Sequence, residues 1–508
     1  MLIKKKNRLF LLKLNTITAI VYQLINIIYG LVLPNLYLNY YGSEINGLVS
    51  SITQYLGMIS FCELGVGAVV QSALYKPLAV NDEDSVSAIM SEAKSFFKKI
   101  ALILCVYVIV LVVIYPLFIN KSFGIITTTC LIVAVAINLF SQYYFGLSSQ
   151  ILLNADQKLY INYGVQILST VLTAVIAALM IINGFSVEVV KLVTSIIFLL
   201  RPLLLWLYVR NNYHIKHVKS SNKHLTQKWN GMIHHIAYVV VEHTDVVVLT
   251  SFSTLTNVSI YYIYYMVASG VKQIVVYATS GVQSLLGNIM AVDDENHVEE
   301  VFSTVEWTFH FICTTLFTIT GLLIIPFIRV YTRNITDANY IVPLFGVLLV
   351  CSQFFYCIRQ PYYMAVKAAG DYKKTQWSAA TEAVLNIVIS IIFVSKLGLI
   401  GVAIGTITAM SYRTIYFVVY LTRNILNRSI TYFVKQIVVD VIVVGCSCLV
   451  AVWIPLLKVT YFHWIILAIE VSFICFFVAI VVNFIFYRDR TRSVVISLPN
   501  KIKNRIKH

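Results

Sequence analysis

Long apolar stretches alternate with short polar breaks along the whole chain. Each stretch is about 20 residues long, the length at which an α-helix crosses the hydrocarbon core of a bilayer. The pattern therefore predicts an all-α polytopic membrane protein. About fourteen spans are expected near residues 14–33, 45–69, 100–119, 124–150, 159–182, 186–209, 232–250, 258–290, 308–330, 340–365, 376–395, 398–421, 434–455 and 461–487.

The composition agrees with a chain that uses the bilayer as part of its solvent. The 508 residues are 59% hydrophobic and 12% charged, whereas soluble domains are about 45–50% apolar and about 25% charged. The formal net charge is +16. In a membrane protein such an excess sits in cytoplasmic loops rather than on a nucleic-acid-binding face, so no nucleic-acid partner is expected.

The distribution of Lys and Arg predicts the orientation of the spans. An even number of spans puts both termini on one side, and most basic residues fall on that side, including Arg359 near the end of a span. The other side receives only Lys121, Lys191, Arg329, Arg333, Lys396 and Lys458. Both termini are therefore predicted to be cytoplasmic, with short outer loops.

Three matches recur in the same order in the two halves of the chain. They are "VVQSAL" (69–74) with "GVQSLL" (281–286), "NDED" (81–84) with "DDEN" (293–296), and "ADQK" (155–158) with "GDYK" (370–373). Spans one to six are therefore predicted to be duplicated as spans seven to twelve. Internal duplication in a polytopic chain is typical of transporters.

The repeat predicts four segments. A six-helix lobe covers 1–210, a basic cytoplasmic linker covers 211–231, and a second six-helix lobe covers 232–425. Two additional spans and a basic cytoplasmic tail cover 426–508. Each acidic turn also opens an amphipathic helix, over 85–100 and 297–306, which we expect at the cytoplasmic surface.

Carboxylates interrupt the seventh span. Glu242 and Asp245 are separated by about 300° and share a helix face, whereas His243 points about 160° away from Asp245. Two carboxylates on one face cannot both ionise cheaply, which suits reversible binding of a proton or a cation. The alternative is that Glu242 lies at the interface and Asp245 belongs to a structural ion pair.

Lys272 lies in the middle of the eighth span, and the repeat aligns it with Glu63 in the second span. Ionisable groups at membrane depth are costly and usually face a cavity. Lys272 is therefore predicted either to meet an anionic substrate or to pair with Glu63, which is itself a candidate for ion coupling.

Arg201 and Arg413 occupy equivalent positions in the two halves. The guanidinium is always charged and forks onto phosphate or carboxylate. Arg413 is the stronger candidate for a cavity, since Arg201 can snorkel to the cytoplasmic interface. Tyr and amide side chains are abundant in the spans, and Asn46, Gln71 and Gln283 are candidates for contacts with sugar.

Sequence motifs for enzymes are missing. The chain contains no GxxxxGK[ST] and no HExxH motif, and no GxSxG in a strand–turn–helix setting. The nine Cys are scattered without a CxxC pair, and the histidines around the middle loop have poor metal-ligand spacing. We therefore predict neither catalysis nor a cofactor or metal.

The stretch "YYGSEINGLVSSITQYLGMISFCELGVGAVVQSALYKPLA" (40–79) resembles the N-terminal signature of Wzx-type polysaccharide-repeat-unit flippases. These belong to the multidrug/oligosaccharidyl-lipid/polysaccharide (MOP) exporter superfamily. "HTDVVVLTSFSTLTNVSIYYIYYMV" (243–267) is similar to that family's entry into its second half. The resemblance implies two MATE-like six-helix lobes in a V around a central cavity, plus two extra helices.

The resemblance also implies the substrate, an undecaprenyl-diphosphate carrier bearing a short oligosaccharide. A cationic cavity, typical of the family, fits Lys272 and Arg413. The expected function is to flip such units across the bacterial cytoplasmic membrane for capsule, O-antigen or exopolysaccharide synthesis, driven by an ion gradient or the membrane potential. Expected partners are membrane lipids, a polysaccharide polymerase and a chain-length regulator.

Two alternatives share this architecture. One is a drug or metabolite antiporter, which the carboxylates Glu63, Glu242 and Asp245 leave open. The other is a flippase for the lipid precursor of peptidoglycan. A membrane-bound polymerase is disfavoured, because such an enzyme usually needs a large outer loop.

Overall fold

A computed structural model describes residues 2–119, 122–216, 232–292, 295–451, 453–454 and 457–492. These residues form helices joined by short turns, without a strand, so the predicted all-α membrane fold is confirmed. Lys121, most of the predicted linker (217–231) and the tail from 493 onward lie outside the described residues. The helices are α1 (Leu2–Gly57), α2 (Val66–Val80), α3 (Glu83–Ile114), α4 (Ile125–Ser141), α5 (Leu147–Ala155), α6 (Leu159–Ile182), α7 (Val187–Phe198), α8 (Leu200–Asn212), α9 (Met232–Phe252), α10 (Leu255–Val292), α11 (Glu295–Tyr331), α12 (Pro343–Ile358), α13 (Gln360–Ala368), α14 (Gln376–Leu397), α15 (Leu399–Asn424), α16 (Thr431–Ala451) and α17 (Tyr461–Phe486).

Among the described residues, eleven helical stretches are long and apolar enough to cross a membrane. The first of them contains the first predicted span and most of the second, and α9 and α10 match the seventh and eighth. The predicted break between the first two spans is confirmed. It lies at Gly42, where a φ of 83° and a ψ of 174° interrupt α1 with a kink, a conformation that glycine adopts readily.

The amphipathic segment over 85–100 is the first part of α3 rather than a separate helix. Its apolar face is buried as the pattern predicted, since Val86, Ile89, Met90, Ala93 and Phe97 are all buried. The side chain of Asp82 accepts a hydrogen bond from the amide of Ser85 and so caps α3. The hydroxyl and amide of Ser85 hold the pKa of that carboxyl below its usual value. The segment over 297–306 is likewise the start of α11.

The chain divides into two compact units, Met1–Ser259 and Ile260–His508. The first unit has a continuous apolar core with Leu48, Ile52, Met90, Leu104 and Leu152 at its centre. Helix α9 belongs to this first unit, although the sequence repeat predicts that the second lobe begins at residue 232. The lobe boundaries taken from the repeat stay a prediction.

The "ADQK" and "GDYK" turns make similar polar contacts, although positive φ falls at Gln157 in the first and at Gly370 in the second. In the first, Asp156 pairs with Lys158 at 2.8 Å and accepts from the Tyr213 hydroxyl at 2.5 Å. In the second, Asp371 pairs with Lys374 at 2.6 Å.

Asp371 also accepts a hydrogen bond from the Tyr420 hydroxyl at 2.9 Å. The Lys374 ammonium, aided by Tyr420, holds the pKa of Asp371 below its usual value. Both turns therefore contain an aspartate bonded to a lysine and a tyrosine, but the lysine is Lys158 of the motif in the first and Lys374, one residue beyond the motif, in the second.

Helices α14 and α15 pack closely because their facing residues are small. Ser390 on α14 and Gly401 and Gly405 on α15 lie where the two backbones meet. A Cβ atom added at Gly405 would overlap Ser390 and the carbonyl oxygen of Asn386. This close approach determines which α14 side chains can reach α15.

Replacing Gly405 with Ala should lower the free energy of unfolding by about 1–3 kcal/mol, because a packed interface must open to admit the methyl group. The matched control is Gly164→Ala in α6, where nothing lies within 4 Å of the added Cβ. That change should stabilise by up to about 1 kcal/mol, the helix-propensity difference. Unfolding of both purified variants in the same detergent measures the difference, and equal stabilities would contradict the packing.

Candidate functional site

Lys272 on α10 is 5% exposed and lies between two tyrosines. Its Nζ donates to the Tyr265 hydroxyl at 3.2 Å and lies 5.4 Å from the centroid of that ring. The Tyr356 ring of α12 lies on another side, with its centroid at 5.2 Å. Aromatic faces stabilise a buried cation without neutralising it. The predicted basic residue is thus held inside the second unit, between two aromatic rings.

Arg413 on α15 forms an ion pair with Glu382 of α14. The other carboxylate oxygen of Glu382 accepts from Arg359 Nη1 at 2.6 Å. All three side chains are buried, with Glu382 only 1% exposed. The Glu382 carboxylate therefore forms ion pairs with the guanidinium groups of both Arg359 and Arg413.

Tyr356 connects the two predicted cations into one group, which we call the cationic cluster: Lys272, Arg359, Glu382 and Arg413. The Arg359 guanidinium lies 4.9 Å from the Tyr356 ring that also faces Lys272. The cluster therefore contains three basic side chains and one carboxylate. Guanidinium groups such as its two can fork onto phosphate oxygens.

Sequence reasoning missed two members of the cluster. It assigned Arg359 to the cytoplasmic side, whereas the structure buries this residue between α12 and α13, 4% exposed and within one continuous span, Pro343–Ala368. Glu382 was not singled out. Its signal was available, since an acidic residue inside an apolar span is rare unless it is paired.

A row of tyrosines, which we call the tyrosine ladder, follows one face of α15: Tyr412, Tyr416 and Tyr420. The rings of Tyr416 and Tyr420 are 6.2 Å apart and inclined by 14°, and those of Tyr412 and Tyr416 are 6.4 Å apart. Together with Ile415, Val419, Arg423 and Asn424 they line an open groove. The bond from Tyr420 to Asp371 fixes one end of the ladder.

The outward face of α14 differs sharply from this groove. Most of its exposed side chains are apolar: Trp377, Val384, Val388, Ile391, Ile392, Phe393 and Leu397, with Thr381, Ser395 and Lys396 as the exceptions. Such a face is typical of lipid contact. The groove on α15 instead combines aromatic faces with hydroxyl, amide and guanidinium groups, the combination that binds a polar ring-shaped ligand.

The carboxylates of the seventh span lie in the first unit. Asp245 on α9 is 2% exposed and Glu242 is half-buried. His243 points to α1, where its Nδ1 is hydrogen-bonded to the Gln54 side chain and its ring lies against Gly57.

A series of polar contacts joins α9 and the start of α10 to α1. Thr250 is hydrogen-bonded to Ser51 at 2.7 Å, and Asn46 donates to Ser259 at 2.8 Å. Ser251 meets the Tyr55 hydroxyl at 2.9 Å. These contacts explain why α9 packs with the first unit.

The remaining predicted residues are distributed over the chain. Glu63 accepts from the Tyr143 hydroxyl at 2.5 Å, and Gln71 donates to Tyr75 at 2.9 Å. Gln283 is exposed on α10. Arg201 lines a small recess together with Asn138, Gln142 and Gln150. Of the predicted substrate residues, Lys272 and Arg413 lie in the second unit and are linked through Tyr356, Arg359 and Glu382. Asn46, Gln71 and Arg201 lie in the first unit.

The helices define an all-α polytopic membrane protein. No protein-family model matches the chain, and no curated protein sequence matches it significantly.

Solved structures do match. The lipid II flippase MurJ, in an inward closed conformation, is 17% identical and has a TM-score of 0.68, over 94% of this chain and 99% of that one. The MATE multidrug transporter DinF-BH, solved as a complex, is 15% identical, with a TM-score of 0.60 over 82% and 95%. An inward-facing MATE transporter of the MOP superfamily is 14% identical, with a TM-score of 0.57 over 78% and 93%.

Proposed function

We propose that this protein flips undecaprenyl-diphosphate-linked oligosaccharide units from the inner to the outer leaflet of the bacterial cytoplasmic membrane. The observation that carries the proposal is the cationic cluster, in which three basic side chains and one carboxylate are buried inside a membrane-spanning unit. Basic side chains inside a span are costly and usually face a substrate pathway. A diphosphate supplies the matching negative charge and the oxygen geometry that guanidinium groups bind.

The physics of the reaction supports the same conclusion. A diphosphate with several sugars cannot cross hydrocarbon unaided, because every charged or hydroxyl group would lose its hydrogen bonds to water. A polar site that opens alternately to the two membrane faces removes most of that barrier. The fold shared with MurJ over 94% of the chain is that of a protein described as a lipid II flippase, which agrees with a lipid-linked substrate.

The tyrosine ladder is our candidate for the wall that contacts sugar. Sugar rings present C–H groups on their faces, which pack on aromatic rings, and hydroxyl groups at their edges, which hydrogen-bond. Tyrosine offers both kinds of contact from one rigid side chain. Successive rings of the ladder are four residues apart, or about 6 Å along the helix, so neighbouring sugars can each meet a ring.

Tyr416→Leu should weaken binding of the glycan-bearing lipid roughly three- to tenfold, a loss of about 0.5–1.5 kcal/mol of aromatic contact. Binding of bare undecaprenyl diphosphate should not change, since the cationic cluster is intact. Tyr416→Phe should keep most of the affinity. Trp377→Leu on the apolar face of α14 is the matched control and should change neither affinity. An equal loss for both lipids would show that Tyr416 does not contact sugar.

Ion coupling is assigned to Asp245, with Glu242 and Glu63 as further candidates. Asp245 lies within a span and is 2% exposed. A buried carboxylate can exchange a proton or a cation at low cost only when its site opens to water. Asp245→Asn should therefore make flipping in proteoliposomes insensitive to an imposed proton or sodium gradient, while lipid binding persists. A variant that still responds to both gradients would contradict this role.

Two other functions remain candidates on specific observations. The MurJ likeness favours a flippase for the lipid precursor of peptidoglycan, and loss of the gene would then be lethal. The likeness to MATE multidrug transporters favours a drug antiporter, and loss would then sensitise cells to cationic dyes.

We further propose that both termini lie in the cytoplasm and that the protein acts together with a polysaccharide polymerase and a chain-length regulator.

The decisive experiment uses cells that lack the protein. Undecaprenyl-linked glycans are extracted and weighed by mass spectrometry, and surface polysaccharide is measured in parallel. Accumulation of a complete repeat unit with a bare surface is expected, because the step between assembly and polymerisation is missing. Unchanged glycan lipids with normal growth would overturn the proposal and direct attention to dye efflux.

A further inference from the structure

A second group of buried ionisable residues lies on α11, apart from the cationic cluster. Glu306, His310 and Thr314 follow one another at four-residue intervals on one face, opposite Asp440 of α16. His310 Nδ1 lies 2.5 Å from Asp440 Oδ2, and the Thr314 hydroxyl donates to Asp440 Oδ1 at 2.6 Å. His310 is 1% and Asp440 6% exposed. None of these residues has a role in the proposed function.

Glu306 has its own partners. It accepts from the Tyr362 hydroxyl and from Arg428 Nη2, the latter at 2.7 Å, while Arg428 Nη1 donates to Ser303 at 3.1 Å. The charged neighbours of His310 are Asp440, Glu306 and Arg428. The thiols of Cys313 and Cys357, the hydroxyls of Tyr362 and Tyr487 and the half-buried Arg490 complete the titratable surroundings.

Charge balance in this group depends on one proton. Arg490 is only half-buried and donates to the carbonyl of Ser303 rather than to a carboxylate, so solvent screens its charge. Among the fully buried groups, two carboxylates and one guanidinium leave a net charge of −1 when His310 is neutral, and zero when it is protonated. A net buried charge in a membrane-spanning unit is costly. Proton uptake by His310 therefore removes the imbalance.

The geometry identifies the atom that takes the proton. Nδ1 already faces Asp440 and holds its hydrogen there, whereas Nε2 is buried and has no hydrogen-bond partner among the described residues. The lone pair of Nε2 is thus the open position. Asp440 then stabilises the imidazolium through Nδ1–H, as an adjacent carboxylate does in general.

The same contacts hold α16 and α17 to the rest of the second unit. Besides the Asp440 pair, Trp307 of α11 donates to Asn483 of α17 at 2.8 Å. Val439 and Val443 of α16 pack against Ala479 and Val482 of α17. The ionisable pair is the polar link between α11 and α16, so its charge state bears directly on their contact.

We propose that His310 and Asp440 form a proton-binding site whose occupancy determines how firmly α16 and α17 are held on α11. The protonated pair keeps α16 in place, and loss of the proton leaves a repulsive negative charge that loosens it. This proposal rests on the described contacts alone and stands whether or not the transported substrate is a lipid-linked glycan.

The test is hydrogen exchange of the α16 backbone in the purified full-length protein, from about pH 5 to 8, the range in which histidine usually titrates. Variant and wild-type rates are compared at each pH, which cancels the chemical effect of pH on exchange. In the wild type, the backbone amides of α16 should exchange roughly tenfold faster at about pH 8 than at about pH 5. This is the change expected if the proton binds about ten times more tightly when α16 is held on α11 than when it is loosened.

Two substitutions should act in opposite directions. Gln cannot bind a proton at this position, so in His310→Gln the net charge of the buried group stays at −1. The α16 backbone should then exchange fast at every pH. Asp440→Asn removes the excess charge, so exchange should be slow at every pH. His463→Gln, at the start of α17 and bonded to Thr460, is the matched control and should keep the wild-type pH dependence.

Other outcomes would overturn the proposal. If both substitutions speed exchange equally at every pH, the pair contributes hydrogen bonds and no proton switch. If wild-type exchange does not vary with pH beyond the chemical rate, the pair does not titrate. A His463→Gln variant that loses the pH dependence would place the proton elsewhere on α17.

Discussion

Lys272→Gln is expected to abolish export of the lipid-linked glycan while the protein still reaches the membrane. Gln is of similar length and neutral, so it removes one of the three positive charges of the cationic cluster and little volume. The loss of a charge-assisted contact with the diphosphate costs about 1.5–3 kcal/mol, or roughly 10- to 100-fold in affinity. Lys272→Arg keeps the charge and should retain part of the activity.

The chain provides a matched control for this experiment. Lys191 on α7 also lies over a tyrosine, 4.6 Å from the Tyr37 ring, but in the first unit and outside the cluster. Cells that carry Lys191→Gln should export the lipid-linked glycan normally. Affinity is measured on the purified variants with undecaprenyl diphosphate and with undecaprenol, which lacks phosphate. Normal surface polysaccharide in Lys272→Gln cells, at wild-type protein levels, would remove Lys272 from the diphosphate site.

Glu382→Ala is expected to have the largest effect on stability. It leaves two buried guanidinium groups without a counter-charge, and breaking a buried ion pair in this way costs about 3–5 kcal/mol. Glu382→Gln keeps the shape and two hydrogen-bond positions and should cost less. Glu470→Ala, an exposed carboxylate on α17, is the control and should not lower stability. Unfolding in one detergent gives the comparison.

A triple variant separates the structural role of these residues from binding. Arg359→Met, Glu382→Leu and Arg413→Met together replace the ion group with apolar side chains of similar size. Such replacements are often neutral or stabilising, so the triple variant should fold while losing most of its affinity for undecaprenyl diphosphate. A folded triple variant that binds the lipid as tightly as the wild type would contradict the proposed site.

Several residues of the candidate site can be identified individually from the sequence. The contacts between them cannot be predicted from it. Lys272 and Arg413 stand out because a charge inside an apolar run is rare, whatever surrounds it. Glu382 carries the same signal, yet its meaning depends on Arg359 and Arg413. Those partners lie 23 and 31 residues away in the chain. Arg359 was counted only among the basic residues of the positive-inside pattern, since nothing in its local sequence marks its burial against Glu382.

The acidic group on α11 shows the same limit. His310 and Asp440 are 130 residues apart, and neither lies in a motif. Their partnership arises because the face of α11 that carries Glu306, His310 and Thr314 meets α16. A helical face can be predicted from periodicity, but the helix that covers it cannot.

The sequence by itself determined the all-α membrane fold, the positions of the spans and the break between the first two of them. These properties are local, because the bilayer selects apolar length and a break is set by a few neighbouring residues. Only the tertiary structure decided that α9 packs with the first unit and that one carboxylate joins Arg359 to Arg413. Each of these depends on which helix faces meet, and contacts between distant segments carry no mark in a single sequence.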